Sequence, residues 1–467
     1  MEKTKLTFYS GLDTIGGVVL EIKYGKDRAF FEAGTAYNPA FDMFDSKVDK
    51  RKQFISDFLW VNDLPRIDGI YRKEDVIKTN LKPACEYEGN QSFFISHLHL
   101  DHMRMMGMID PSVKVYLSKP AQIIEKALED VNLGVDSIRD NYLDMNEDTN
   151  IGEIKVHRFI LNDDSYQDYS FYIETPDLKI HFTGDIFVYG KYFDNIKNEI
   201  SYINNKDIDI LIPEGTTFWG DVPKDIQVKN TWNPDKLISK QEDNNRLIDI
   251  ISKHDGLVVF NHYEREMSDI LDLFEFENNT NRTLVFEPEA AHIVNKFFNK
   301  KVNIIIPDTY LHSPSYLDKI IEFNNVIDKK DILNNPNNYL LQNAYPNILE
   351  LIDYQKCNIL YLHISGQPLG AFDPKFKNMM NILNALGAKY QHRQNFEDGY
   401  YFSSHAVREQ LLQYLEEVNC KLIVPCHSAN RQAYMNNINK PYFKAEQGIT
   451  YVYNKENNTL EVDYEQN

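Results

Sequence analysis

Apolar residues along this chain recur with two different periods, and the order in which those periods alternate sets the expected architecture. Near the start, LTFYS (6–10), VVLEIKYG (18–25) and RAFFEAG (28–34) are short apolar and aromatic runs, each bounded by glycine or charge. Such segments suit the strands of a meander, so the first ninety residues are expected to be β-rich. Another strand pair is expected at FYIETP and LKIHFTGD, with Thr175, Pro176 and Asp177 making the turn, and DILIPEG reads as a buried strand opening into a loop. Helical spacing emerges in KPAQIIEKALEDV (119–131) and VREQLLQYLEEV (407–418).

The texture changes in the middle of the chain. GLVVFN (256–261), RTLVFEP (282–288), VNIIIP (302–307) and NILYLHISG (358–366) are almost wholly apolar and lie between helical segments, the pattern of parallel strands buried on both faces. The chain therefore divides into a first part over 1–218, an α/β domain over 219–395 and a closing part over 396–467, where KLIVPCHSAN, KAEQGITYVYN and TLEVDYEQN supply further strands. The Asn- and Lys-rich stretches near 276–281 and 328–338 read as surface loops, and there is no internal repeat.

Composition narrows the class. With 467 residues, 42% hydrophobic and 13% aromatic, the chain can bury more than one core. Its four cysteines, Cys85, Cys357, Cys420 and Cys426, form no CxxC pair, which argues against a disulfide framework or a thiolate zinc cluster and fits a reducing, cytoplasmic setting. The N-terminal MEKTKLTFYSGL has no hydrophobic signal core, and no apolar run approaches the ~20 residues that span a bilayer, so no membrane partner is expected. A formal charge of −20 repels phosphate at long range and weakens a nucleic-acid reading. It does not remove one, because divalent ions invert the local field and a small basic run, Lys47, Lys50, Arg51 and Lys52, could touch a backbone; that run is more ordinarily a solvated surface segment.

Chemistry concentrates in QSFFISHLHLDHM (91–103), where three of the chain's 13 histidines, His97, His99 and His102, stand beside Asp101. Gln91 to Ser96 suits a buried strand feeding a loop. Alternate side chains of an extended segment share a face, so His97 and His99 can converge on one point while Asp101 and His102 reach a neighbouring one. One stretch can thus hold parts of two metal sites. Imidazole and carboxylate donors suit zinc, manganese or iron, which lower the pKa of bound water to roughly 7. Further ligands have to come from distant strand ends, and Asp185 in HFTGD, His405 in YFSSHA and His427 in IVPCHSAN are so placed, although singly each has an ordinary structural reading.

Taken in order, HLHLDH, FTGD, PEGT, SSHA and VPCH resemble the motifs of the metallo-β-lactamase superfamily, in particular its β-CASP branch, which includes RNase J and the cleavage and polyadenylation endonuclease subunit. GLDTIGGVVLEI resembles the glycine-rich opening, LPRIDGIYRKED a segment found before the metal loop of bacterial members, and VFNHYERE with RTLVFEPE the start of the inserted domain, so the likeness runs to about residue 435. It implies an αββα sandwich interrupted by a β-CASP α/β domain, two divalent ions, Zn or Mn, and hydrolysis of a phosphodiester in RNA or single-stranded DNA by a hydroxide held between the ions. By position, His97 and His99 would hold one ion, Asp101, His102 and His427 the other, and Asp185 would bridge them. Asp101 and His405 would be catalytic, His405 protonating the leaving group. Glu32 and Glu214 would orient ligands from behind, and Ser365, Gly366 and Gln367 would form a phosphate-contacting turn.

Two positions depart from that pattern. Asp164 stands where relatives place a ligand histidine, which would favour manganese over zinc or leave that ion weakly held. Glu32 stands where the family usually has aspartate. Two other readings stay open: a non-catalytic or weakly active scaffold or RNA-binding protein, favoured by Asp164, and a small-molecule metallohydrolase, disfavoured by the insertion. Endo- or exonuclease action, polarity and oligomeric state, a homodimer included, are not legible in the sequence. From the closing segment, assembly through the further domain of longer RNase J proteins is not expected.

Overall fold

Neighbouring phenylalanines in the opening strands go to opposite cores, and that alternation builds the first layers. The computed structural model describes residues 2–36, 49–162, 168–188, 193–224, 226, 232–310 and 314–464. In the strands Lys5–Ser10, Val19–Tyr24, Asp27–Phe31 and Gln91–Phe94, Leu6, Phe8, Leu20, Ile22, Phe31 and Phe94 face one apolar cluster, while Val19, Phe30 and Phe93 face another. These strands belong to an eight-stranded sheet that also takes in Lys114–Leu117, Leu143–Asp144 and the two closing strands Thr450–Asn454 and Thr459–Val462.

A six-stranded sheet packs against its inner face. Its order runs Cys420–Ile423, Ile208–Ile212, Lys179–Phe182, Asp168–Glu174, Ile154–Asn162, Asp148–Ile151. Phe171, Ile173, Ile180, Phe182, Ile210, Ile212 and Leu422 meet Phe8, Leu20, Phe31 and Phe94 in one cluster between the sheets. The outer face of this second sheet buries Tyr172, Leu211 and Ile423 against the helices Phe193–Asn204 and Arg408–Glu417. Each such fully buried aliphatic or aromatic side chain stabilises the fold by about 1.5–3 kcal/mol relative to exposure.

The third sheet is wholly parallel, with seven strands lying between Val258 and His392. Its central strands are buried on both faces: Val258, Phe260, Phe286 and Leu362 face one cluster, Val259, Val285, Leu341 and Tyr361 the other. The first of these clusters also contains Phe30 and Phe93, and it passes through the helices Lys119–Asp130 and Pro288–Phe298, so the inserted sheet and the first sheet share one apolar core. A buried ion pair crosses the same junction, Arg265 to Glu125, and Arg265 also donates to the Leu133 carbonyl at 3.0 Å. The chain enters and leaves the inserted domain through two segments that pair at Leu237 and Tyr401.

The chain is therefore mixed α/β, and three sequence expectations need correction. Among the described residues the first ninety hold three strands before Gln91, and Phe54–Trp60 and Lys73–Val76 are helical; the buried Ile55, Phe58 and Leu59 give the former its apolar face. Residues 276–280 close the helix Met267–Thr280, because Ile270, Leu273 and Phe276 form a buried stripe that carries the helix into its polar tail, where Asn281 ends it at φ 55°. Lys329–Asn334 is also helical, started by the Asp328 side chain accepting from the Lys330 amide. Of the basic run, Lys47 lies outside the described residues, Lys50 is paired with Asp136 and Arg51 with Asp57, so its charge is largely met locally. Among the described residues no helix is long and apolar enough to cross a membrane.

At the carboxyl edge of the inserted sheet, burial pushes the Glu287 carboxyl up to about 8, against a hydrogen bond from Asn347 and with help from Glu289. The native state thus keeps a proton that the unfolded chain releases near its ordinary value of 4.5. This group's contribution to stability is whole below about pH 4.5 and is lost as pH rises to about 8. Melting temperatures of wild type and Glu287→Gln, compared across that range, are expected to diverge in the variant's favour as pH rises.

Candidate metal centre

Each candidate ligand sits where a strand stops. The strands Lys179–Phe182, Ile208–Ile212 and Cys420–Ile423 are parallel neighbours, so the loops after them, carrying Asp185, Glu214 and His427, emerge on one edge. His97 follows Gln91–Phe94 of the other sheet, and the short helix Leu100–Met103 turns Asp101 and His102 toward the same edge. Loops beyond the carboxyl ends of parallel strands are where such folds place ligand sites.

The backbone is held close by glycine and by strained residues. The Gly17 amide donates to the Asp101 carbonyl at 2.7 Å and the Ala33 amide to that of His102 at 2.8 Å. A side chain at Gly16 would strike Asp101 Cβ at 2.1 Å, and one at Gly34 would strike the Asp101 carbonyl at 1.6 Å, which explains the glycines of GLDTIGG and FFEAG. Glu32 and His427 adopt φ values of 65° and 51°, left-handed conformations that non-glycine residues take only when their surroundings hold them.

Around Asp185 the donors converge. Its Oδ2 lies 3.7 Å from His97 Nε2 and 3.5 Å from His405 Nδ1; its Oδ1 lies 3.3 Å from His102 Nε2 and 3.8 Å from His427 Nε2. Asp101 Oδ2 stands 3.2 Å from His427 Nε2, which is itself 3.1 Å from His102 Nε2. Two donors each about 2.1 Å from one tetrahedral ion stand roughly 3.4 Å apart, so these spacings match atoms that share a cation. Three compact sets result: His97, His102 and Asp185; Asp101, His102 and His427; and Asp185, Glu214 and His427. His97 Nε2 is buried with no hydrogen-bond partner among the described residues, as a ligand nitrogen would be.

The remaining atoms of these side chains are oriented from behind. Ser96 Oγ is 2.8 Å from His97 Nδ1, and Thr216 Oγ1 is 2.9 Å from His427 Nδ1. Glu32 accepts from the Ser96 amide at 3.1 Å and presents its other oxygen 3.4 Å from His102 Nδ1, so the longer carboxylate still reaches the metal loop. Glu214 accepts from the amides of Ile186 at 2.6 Å and Thr216 at 3.0 Å, tying the Asp185 turn to the His427 side. Burial opposes charge throughout. It would strip His102 and His427 of protons, yet the facing carboxylates of Asp185 and Asp101 outweigh it and raise both; conversely the imidazoles hold Asp185 well below the usual carboxylate range despite its burial.

Other sequence candidates fall differently. His99 belongs to none of the compact sets; it lies at the rim, its Nε2 3.4 Å from Glu266 Oε2 and its ring beside Tyr263. Asp164 lies outside the described residues. His405 is partly exposed at 23%, its ring beside Phe187. The Ser365 hydroxyl is taken up within the protein, donating to Asp269 and accepting from the Tyr263 amide at 2.9 Å; Gly366 is buried against Asn261, and Gln367 alone of that turn is exposed. Two residues at the centre escaped the sequence reading. Asp168 opens a buried strand with neither carboxylate oxygen hydrogen-bonded among the described residues, and Glu266 reaches in from the inserted domain. A carboxylate heading the aromatic-rich DYSFYIE was the available signal for Asp168.

Removing the Glu32 side chain leaves the Ser96 amide and His102 Nδ1 without it. Glu32→Ala is expected to weaken divalent-metal binding about 10–100-fold, read by calorimetric titration with zinc, while Glu32→Gln loses less because the amide oxygen still accepts from Ser96.

No family model matches this chain, and no curated protein matches it. Among solved structures, it is similar to a protein of unknown function from Enterococcus faecalis V583, at 23% identity over 96% of this chain and 100% of that one, with a TM-score of 0.74. That likeness extends the mixed α/β fold to a second sequence.

Proposed function

We propose that the chain is a metallo-β-lactamase-type sandwich carrying a β-CASP-like inserted domain, and that its centre hydrolyses phosphodiester bonds in RNA or single-stranded DNA. What supports the architecture is the pair of face-to-face sheets with helices on their outer sides, interrupted by a parallel sheet. The observation that carries the chemistry is the approach of four imidazoles to one buried carboxylate, Asp185, all within 3.8 Å.

The residues fit a pair of divalent ions, Zn or Mn. Asp101, His102 and His427 would hold one, His97 would bind the other, and Asp185, common to both groups of imidazoles, would serve either. Bound there, such ions would supply an activated water and neutralise the charge that builds on the phosphate oxygens. Asp101, at the interface of His102 and His427, keeps these donors turned inward. His405 faces the same carboxylate from the partly exposed side, where it would protonate the departing ribose oxygen. Phe187 beside its ring limits water on one flank. A net charge of −20 leaves local cations, rather than a basic surface, to attract the substrate.

A scaffold without activity is the second reading, and Asp164 in place of a histidine is what favours it. The test is hydrolysis of 5′-labelled RNA, single-stranded DNA and a chromogenic cephalosporin by protein loaded with Mn or Zn. Cleavage of a nucleic acid alone is expected, and turnover of the cephalosporin alone would overturn the reading. His97→Ala and Asp185→Asn should each lower cleavage by at least about 1,000-fold, the scale of losing a principal electrostatic stabiliser. His405→Ala should slow cleavage about 100-fold with metal content unchanged, as for loss of a general acid.

A further inference from the structure

Asp101 and His427 face each other across 3.2 Å although they lie 326 positions apart in the chain, so their separation is set by whatever touches both. The opening loop, residues 11–17, does so. At one end the Gly11 carbonyl accepts from the His427 amide at 2.8 Å. At the other the Gly17 amide donates to the Asp101 carbonyl at 2.7 Å, and Gly16 packs against the Asp101 side chain. The loop comes this close because its glycines carry no side chain and take positive φ, 83° at Gly11 and 71° at Gly16. That same freedom gives its backbone many competing conformations, so such a loop can set a distance only if it is pinned.

The pin comes from the closing part of the chain. Arg431, four residues beyond His427, turns its guanidinium back to Asp13 in the middle of the loop, Nε donating to Oδ1 at 2.9 Å and Nη2 to Oδ2 at 2.8 Å. Its remaining nitrogen, Nη1, donates to the Ala445 carbonyl at 2.9 Å. Two parallel bonds to one carboxylate fix direction as well as distance. The arginine end is itself held firmly. Ser428 Oγ and the Asn430 amide donate to the Phe218 carbonyl at 3.0 and 2.9 Å, and the Asn430 side chain caps the helix Arg431–Asn436 by accepting from the Ala433 amide. The side chain of Arg431 is 2% exposed and that of Asp13 66%, so a buried, anchored cation dictates where a largely solvated carboxylate sits. An exposed carboxylate adds little to the stability of the whole fold. What it determines is the course of the loop.

We propose that Asp13 and Arg431 are a positioning pair for the ion assigned to Asp101, His102 and His427: the fork pins the glycine loop at its middle, and the pinned loop sets Asp101 against His427. This rests on the metal reading above, and neither member of the pair is a ligand. The pair acts on one ion and not on the other, because His97 takes its orientation from a different place. Ser96 Oγ stands 2.8 Å from His97 Nδ1, and the Ser96 amide is held by Glu32 at 3.1 Å.

The test titrates metal-free wild type, Asp13→Ala, Asp13→Glu, His97→Ala and His427→Ala with Co²⁺, counting bound ions per chain by equilibrium dialysis and recording the visible absorption spectrum, which reports the ligand geometry of each ion. Wild type is expected to bind two ions. Asp13→Ala should hold one as tightly as wild type and the other at least about 10-fold more weakly, the scale of losing an outer partner of a ligand. Its spectrum should lose the component that His427→Ala removes and keep the one that His97→Ala removes. Asp13→Glu, which retains the carboxylate, should recover most of the lost affinity. Because Asp13 is largely exposed, both of its variants should keep the wild-type circular dichroism. Two ions held by Asp13→Ala with wild-type affinities and spectrum would overturn the pair's role and leave the metal reading standing. Equal weakening of both ions would do the same, since it marks a loosened fold, whereas a wild type that binds no Co²⁺ would overturn the pair's role and the metal reading together.

Discussion

Asp185 is 2% exposed, and its charge has to be met inside the protein. Four imidazoles approach it within 3.8 Å, and for His102 and His427 the facing carboxylates favour the charged form against the cost of burial. A divalent ion in the same place would give the carboxylate a stronger partner and would bind the imidazoles in their neutral form. Everything else at the edge of the sandwich serves this convergence. Three adjacent parallel strands deliver Asp185, Glu214 and His427 to one level, and the glycines at 16 and 34 let the metal loop settle against the opening strands.

The inserted domain is therefore more than a lid laid over a finished site. Along the segment from Asn261 to Asp269 several polar groups are committed to bracing: Tyr263 to Ser365, Arg265 to Glu125, Glu266 to His99, Asp269 to Ser365 and Arg393. Ser365, which the motif resemblance sets in a phosphate-contacting turn, commits its hydroxyl to this bracing. Of that turn, Gln367 is the residue left facing solvent.

What could be read from residues alone follows the range of the interactions concerned. Strands such as Val258–Asn261 and Leu360–His363 announce themselves because both faces are buried, and the clustering of His97, Asp101 and His102 needs no tertiary information. Asp185 and His427 end buried strands, which singly is an ordinary structural position, and it is the motif resemblance that sets them beside that cluster. The helices at Phe54–Trp60 and Lys329–Asn334 were hidden by composition, since few buried positions are enough to fix so short an element. The His99 to Glu266 approach was beyond reach, as it depends on how two domains dock, which no local pattern encodes. Likewise the departure of His99 from the compact sets follows from its place on the rim rather than from its spacing to His97.

The apolar cluster that joins Phe30 and Phe93 to Phe260 and Phe286 has a thermodynamic corollary. An inserted domain tethered only by its two crossing segments would melt on its own, giving two calorimetric transitions. Here the shared core means neither part can unfold without uncovering the other, so heat absorption should merge into one cooperative peak. Evolutionary change in the insertion is then constrained from the sandwich side: a repacking of the helix Pro288–Phe298 has to be matched on the helix Lys119–Asp130, or the enthalpy of the whole chain falls.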